Sequence, residues 1–117
     1  MTGRQILLFS LFGGLLAIGQ ILFKRAARSF AGQSGLDGFV SLFTSASFWS
    51  AIVLYGMSTL LWVWLLRDVP LNRAYPFAAV AFVLVPILSY LLLDEPITVP
   101  AMLGAAFIVV GIAIAQV

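Results

Sequence analysis

The chain has 117 residues, 63% of them hydrophobic and only 9% charged, against about 25% charged in a soluble domain, so it cannot clothe a water-soluble fold of this size. Six Lys or Arg and four Asp or Glu leave a net charge of +2, carried by too few residues to make a nucleic-acid surface. With no His and no Cys, disulfides, zinc and haem ligation by His, and Ser-His or Cys-His catalysis are excluded; no metal, cofactor or enzyme activity is expected.

The charges divide the chain. Arg4 stands alone, Lys24, Arg25, Arg28 and Asp37 form a second group, Arg67, Asp68 and Arg73 a third, and Asp94 with Glu95 a fourth. Between the groups run 19, 29 and 20 uncharged residues, and 22 follow Glu95. A membrane-crossing helix needs about 20 apolar residues. Lipid satisfies no exposed backbone group, and the runs are continuous rather than alternating, so helices are expected rather than a barrel. The predicted fold is an all-α integral membrane domain over 1–117 with four spans, at about 6–23, 48–66, 74–93 and 99–116.

Span 1 begins after Arg4, as a signal peptide would, but no small-residue cleavage site follows, so a retained helix is expected. It carries Ser10, Gly13, Ala17, Gln20 and Lys24 at spacings of 3, 4, 3 and 4, all on one helical face. That stripe predicts a polar cavity ending at a cation; close helix packing through Gly13 and Ala17 is the plainer reading. In the connection Lys24–Ser47, Leu36, Phe39, Val40 and Phe43 repeat at helical spacing, and Ser34 precedes Asp37 as a capping box would. A short helix on the membrane surface fits, although Gly32, Gly35 and Gly38 fit a floppy loop as well.

Span 2 places Tyr55, Ser58, Thr59 and Trp62 on one side. Trp49, Trp62 and Trp64 suit interface belts, and Trp62, sharing a face with Ser58, is also a binding candidate. The connection 67–73 is short, so spans 2 and 3 are antiparallel neighbours. Span 3 opens with Arg73-Ala74-Tyr75-Pro76 and holds Pro86 near its middle. Each proline removes a backbone donor, which makes Pro76 and Pro86 hinge candidates. Pro100 suits the first turn of span 4. Gly104 and Gly111, two turns apart on one face, predict a dimer interface.

Both termini and the 67–73 connection are expected on one membrane face, with Arg4, Arg67 and Arg73; Lys24, Arg25 and Arg28 fall on the other. Equal counts give no orientation bias, which permits an antiparallel homodimer; a partner protein or the free amino group breaking the tie is the other reading. No Asp or Glu lies inside any span, whereas proton- or cation-coupled transporters usually keep a carboxylate near the midplane.

Taken together these residues resemble the drug/metabolite transporter superfamily. The four-span length, the Gly104–Gly111 spacing, Ala46-Ser47-Phe48-Trp49 and Val69-Pro70 before Ala74-Tyr75 are similar to small multidrug resistance proteins. Those exporters carry a Glu in span 1 where this chain has Leu16. Gly19-Gln20 with Lys24, Leu61-Trp62, Val69-Pro70, Ala74-Tyr75-Pro76, Glu95-Pro96 and the tail Gly104–Gly111 resemble more closely the small subunits of the aminoarabinose–undecaprenyl-phosphate flippase. That resemblance implies transport of a sugar-bearing polyprenyl phosphate across a bacterial inner membrane. It also implies a heterodimer of two related four-span subunits, which competes with the homodimer. A small-molecule exporter of the small multidrug resistance type and a non-transporting accessory subunit of a membrane glycosyltransferase are the alternatives.

Such a substrate has an anionic phosphate, a polar head and an apolar tail. A cavity open sideways to lipid with basic residues at its rim suits it. On that basis Lys24, with no carboxylate within several residues, is expected to hold the phosphate. Gln20 and Tyr75 would bond the sugar, and Arg73 would receive the phosphate after crossing. The plainer reading is that these cations contact phospholipid headgroups.

Overall fold

Helix α1 (Gly3–Ser29) starts where Thr2 can cap it: the Thr2 hydroxyl accepts from the Gln5 N–H at 3.2 Å, and the Gln5 side chain accepts from the Thr2 N–H at 3.0 Å. This reciprocal pair satisfies two of the donors that a helix start leaves orphaned. The computed structural model describes residues 2–117. At 27 residues α1 outlasts the expected span. Its length of about 40 Å exceeds a hydrocarbon core of about 30 Å, so the turns bearing Lys24, Arg25 and Arg28 extend past the apolar layer.

Helix α2 (Gly35–Phe43) forms in the first connection, which decides between the two readings of that segment. Two glycines act where it begins: Gly32, before it, and Gly35, its first residue, take φ +89° and +62°, turning the chain out of α1. Gly38 is the residue α2 buries, against the Gln33 carbonyl and the Phe30 ring. Leu36, Phe39, Val40 and Phe43 all stay exposed. The capping box is corrected: Ser34 occupies the N-cap position but makes no side-chain cap bond. The neighbouring Gln33 instead pairs with Ser41, whose hydroxyl donates to its Oε1 at 2.5 Å.

Ser45 caps α3 (Ala46–Leu66), its hydroxyl accepting from the Phe48 N–H at 3.3 Å. The third apolar run is built in three pieces: α4 (Leu71–Ala74), a 3₁₀ turn (Tyr75–Ala79) and α5 (Val80–Leu93). The irregular geometry falls at Pro76, whose missing N–H and restricted predecessor disfavour a plain α start, while α5 continues through Pro86. Thr98 caps α6 (Val99–Ala115) by accepting from the Ala101 N–H at 3.3 Å, with Pro100 in the first turn.

Among the described residues, three helical stretches can cross a membrane by length and composition: Gly3–Ser29, Ala46–Leu66 and Leu71–Leu93. The fourth expected span is a shorter apolar helix of 17 residues, about 25 Å long.

Helix α1 is the hub, packing against α3, α5 and the 3₁₀ turn. Phe9, Leu65, Val69, Ala74 and Phe77 form the core. Gly13 lets the 3₁₀ turn come close: a Cβ there would stand 3.0 Å from both the Phe77 carbonyl oxygen and the Val80 Cβ. Helix α6 touches α5 and the 3₁₀ turn and buries none of its residues.

Candidate functional site

The helix directions sort the charges into two ends. The Gln116 amide donates to the Arg73 carbonyl at 3.2 Å, and Thr2 and Arg4 share a depression with Arg67 and Asp68. Both ends of the described chain therefore lie together, as expected. The other end gathers the close of α1, helix α2 and the turn from α5 to α6. Lys and Arg divide equally between the ends, but Asp and Glu do not: Asp68 is at the first end, while Asp37, Asp94 and Glu95 are at the second.

A groove between α1 and α5 is walled by Gln20, Ala81, Phe82, Val85 and Pro86 and holds about 420 Å³. Only two helices wall it, so it opens sideways at the surface. Its lining is apolar apart from Gln20. That amide is oriented by α3: its Nε2 pairs with the Tyr55 hydroxyl at 2.5 Å, and the same hydroxyl donates to the Leu16 carbonyl at 3.4 Å. The Tyr55 ring is seated on Gly19, where a Cβ would overlap ring carbons Cε2 and Cδ2, and against Phe23 at 5.2 Å between centroids.

One turn beyond Gln20, Lys24 Nζ stands 3.8 Å from Glu95 Oε1, and Arg28 Nη2 stands 3.4 Å from the same oxygen. The Arg28 guanidinium also donates to the Leu93 carbonyl at 3.0 Å. Lys24 was expected to stand clear of carboxylates; the fold corrects this, because the α5–α6 turn carries Glu95 to it. About half of each cation's side chain remains exposed, so a further anion can still reach them.

The remaining sequence candidates lie elsewhere. Trp62 sits in an aromatic cluster, stacked on Phe12 at 4.6 Å and edge-on to Phe9 at 5.8 Å and Tyr75 at 6.4 Å. Ser58 and Thr59, on the same stretch of α3, spend their hydroxyls on the Leu54 and Tyr55 carbonyls of their own helix. Trp62 and Ser58 are packed, while Tyr55 on the same side of α3 turns its hydroxyl to Gln20. Trp49 and Trp64 stand at opposite ends of α3, Trp49 donating to the Phe43 carbonyl at 2.7 Å and Trp64 lying under the Arg67 guanidinium at 5.4 Å.

Arg73 and Tyr75 are exposed at the first end. Gln20 is two helical turns from Phe12, on the far side of the aromatic cluster. Gln20 and Tyr75 therefore do not converge within one chain. The α1 stripe is likewise corrected: Gly13 and Ala17 are buried in helix packing, and of the stripe Gln20 walls the groove, with Lys24 one turn beyond it. Gly104 and Gly111 face open space on α6, where an added Cβ meets nothing within 4 Å.

Two residues of the site were missed in the sequence. Tyr55 was placed on a helical face but not joined to Gln20, because nothing local links positions 35 residues apart. Glu95 is grouped in the sequence with Asp94 at the end of the third apolar run and joined to no residue of α1. Its signal was the excess of acid on the Lys24 side.

The model of the EamA-like transporter family matches residues 5–116. The chain is 39% identical over 77 residues to the probable 4-amino-4-deoxy-L-arabinose-phosphoundecaprenol flippase subunit ArnF of Pseudomonas fluorescens, covering 64% of this chain and 56% of that one. It is 32% identical over 99 residues to the probable ArnE subunit of the same kind of flippase from Pseudomonas syringae, covering 84% and 87%. The ArnE subunit from Pseudomonas aeruginosa is 35% identical over 78 residues, covering 67% and 68%. The chain thus spans little more than half the length of the first relative and most of the second. No solved structure matches.

Proposed function

The chain belongs to the EamA-like transporter family, and on that premise we propose that it is one subunit of a flippase for a polyprenyl-phosphate-linked sugar in a bacterial inner membrane. The observation that carries this reading is the α1–α5 groove. It opens sideways and is apolar apart from Gln20, and Lys24 and Arg28 follow Gln20 on α1 one and two helical turns later. A lipid tail can remain in the bilayer while the polar head enters such a groove. Gln20, held by Tyr55, offers hydrogen bonds to the sugar. Lys24 and Arg28 offer charge-assisted bonds to the phosphate. No bond is made or broken in this role, which asks for binding and release on two sides.

In this reading α6 is the fourth span, at the short end of the workable range. One such chain is half a transport path. Its partner is a second four-helix chain of the same family, docked on the open face of α6 around Gly104 and Gly111. The relatives carry two different subunit names, which favours a related chain over an identical copy. In an antiparallel pair the partner would bring its Arg73 and Tyr75 to the Lys24 end, to receive phosphate and sugar there. Pro76, ahead of the groove's α5 wall, and Pro86, within it, are where that wall would flex.

An exporter of the small multidrug resistance type would need a group that trades a proton for a cation. The groove's one polar wall residue is the neutral Gln20, and Leu16 stands where such exporters hold a carboxylate. The test is flipping of a fluorescent polyprenyl-phosphate sugar in proteoliposomes containing the chain and its partner. Flipping above that of protein-free liposomes is expected; equal rates reject the proposal.

A further inference from the structure

The turn between α5 and α6 is shaped to return a carboxylate to α1. Asp94 takes the left-handed conformation, φ 57° and ψ 29°, uncommon outside glycine although Asp tolerates it better than most residues. The Asp94 and Glu95 N–H groups both donate to the Ser89 carbonyl, Glu95 at 3.2 Å. The chain reverses there, and the Glu95 carboxylate meets Lys24 at 3.8 Å and Arg28 at 3.4 Å. These cations stand one and two helical turns beyond Gln20, the polar wall residue of the groove.

We propose that Glu95 is a built-in stand-in for the substrate phosphate. It occupies Lys24 and Arg28 while the groove is empty, and an arriving polyprenyl phosphate displaces it. This rests on the flippase reading above. A carboxylate and a phosphate offer the same kind of acceptor oxygen to an ammonium and a guanidinium. The pairs are half exposed, and pairs of that kind hold weakly, which is what an anion meant to be displaced requires. Displacement also frees the α5–α6 turn from the end of α1. Substrate arrival thereby unlatches the two helices, α5 and α6, that form one groove wall and the open partner face.

Binding to the full chain in lipid nanodiscs tests the proposal, with polyprenyl phosphate, neutral polyprenol and phosphatidylglycerol as probes. Glu95→Gln keeps the size of the side chain at a half-buried position and removes its charge. The expected result is that the wild type prefers polyprenyl phosphate to polyprenol. Glu95→Gln should then bind polyprenyl phosphate about fivefold more tightly, as expected from loss of a weak competing ion pair, with polyprenol binding unchanged. Unchanged or weaker polyprenyl-phosphate binding by Glu95→Gln, alongside a wild type that keeps its preference, overturns the role of Glu95 and leaves the flippase reading intact. Equal tightening toward phosphatidylglycerol also overturns it, showing a shield against ordinary headgroups. A wild type without preference for the phosphate overturns the flippase reading itself, and the stand-in with it.

Discussion

Gly19→Ala tests whether Tyr55 sets the position of Gln20. The new methyl group would overlap two carbons of the Tyr55 ring, so the ring must leave its seat. With it go the hydrogen bond to Gln20 at 2.5 Å and the contact with Phe23 at 5.2 Å. A hydrogen bond of this kind is worth about 1 kcal/mol, and an aromatic pair about 1 kcal/mol more. Replacing a mid-helix glycine by alanine returns up to about 1 kcal/mol. The net effect is a destabilisation of about 1 kcal/mol. Tyr55→Phe removes the hydroxyl alone and costs about 1 kcal/mol by itself. The double variant should be no less stable than Gly19→Ala, since the bond that Tyr55→Phe removes is already lost. Unfolding in mixed micelles of the four proteins gives the cycle. Additive losses, or a Gly19→Ala protein as stable as wild type with an intact Gln20–Tyr55 bond, would refute the coupling.

Gly111→Leu should leave the single chain folded, because open space surrounds that position, and should abolish cross-linking to the partner across α6; unchanged cross-linking moves the interface elsewhere. Cysteines placed at Ser34 and Gln116 should label from opposite membrane faces when the protein is inserted in one orientation. Labelling of both from one face would mean that α6 does not cross.

The charge clusters made the helices legible in advance, because in lipid a long uncharged run has few other structures open to it. The pieces that escaped depend on contacts between runs. Gly13 and Ala17 share a face with Gln20, so periodicity groups them; the stacking of α5 and the 3₁₀ turn on α1 decides that the first two are packing. Pro76 and Pro86 look alike in sequence. Pro76 falls at the start of its run, where α geometry gives way to 3₁₀, while Pro86 is absorbed within α5. Lys24 looked unneutralised because its partner is 71 positions away, brought back by a left-handed residue at Asp94. Gln20 and Lys24 stand out as candidates because their polarity breaks an apolar helix. Tyr55 and Glu95, the groups that hold them, carry no such mark.

Flipping by the Lys24→Ala variant bears most directly on the groove. Arg28 lies a full turn farther from Gln20 and is held there by the Leu93 carbonyl, and Arg25 lies a quarter-turn or more around the helix from Lys24. Neither can take the place of Lys24 beside Gln20. Reconstituted with its partner, Lys24→Ala should insert and assemble normally yet lose flipping of a fluorescent polyprenyl-phosphate sugar to the level of protein-free liposomes. Near-wild-type flipping by Lys24→Ala would show that these cations serve only to contact lipid headgroups, and would contradict the assignment of the groove.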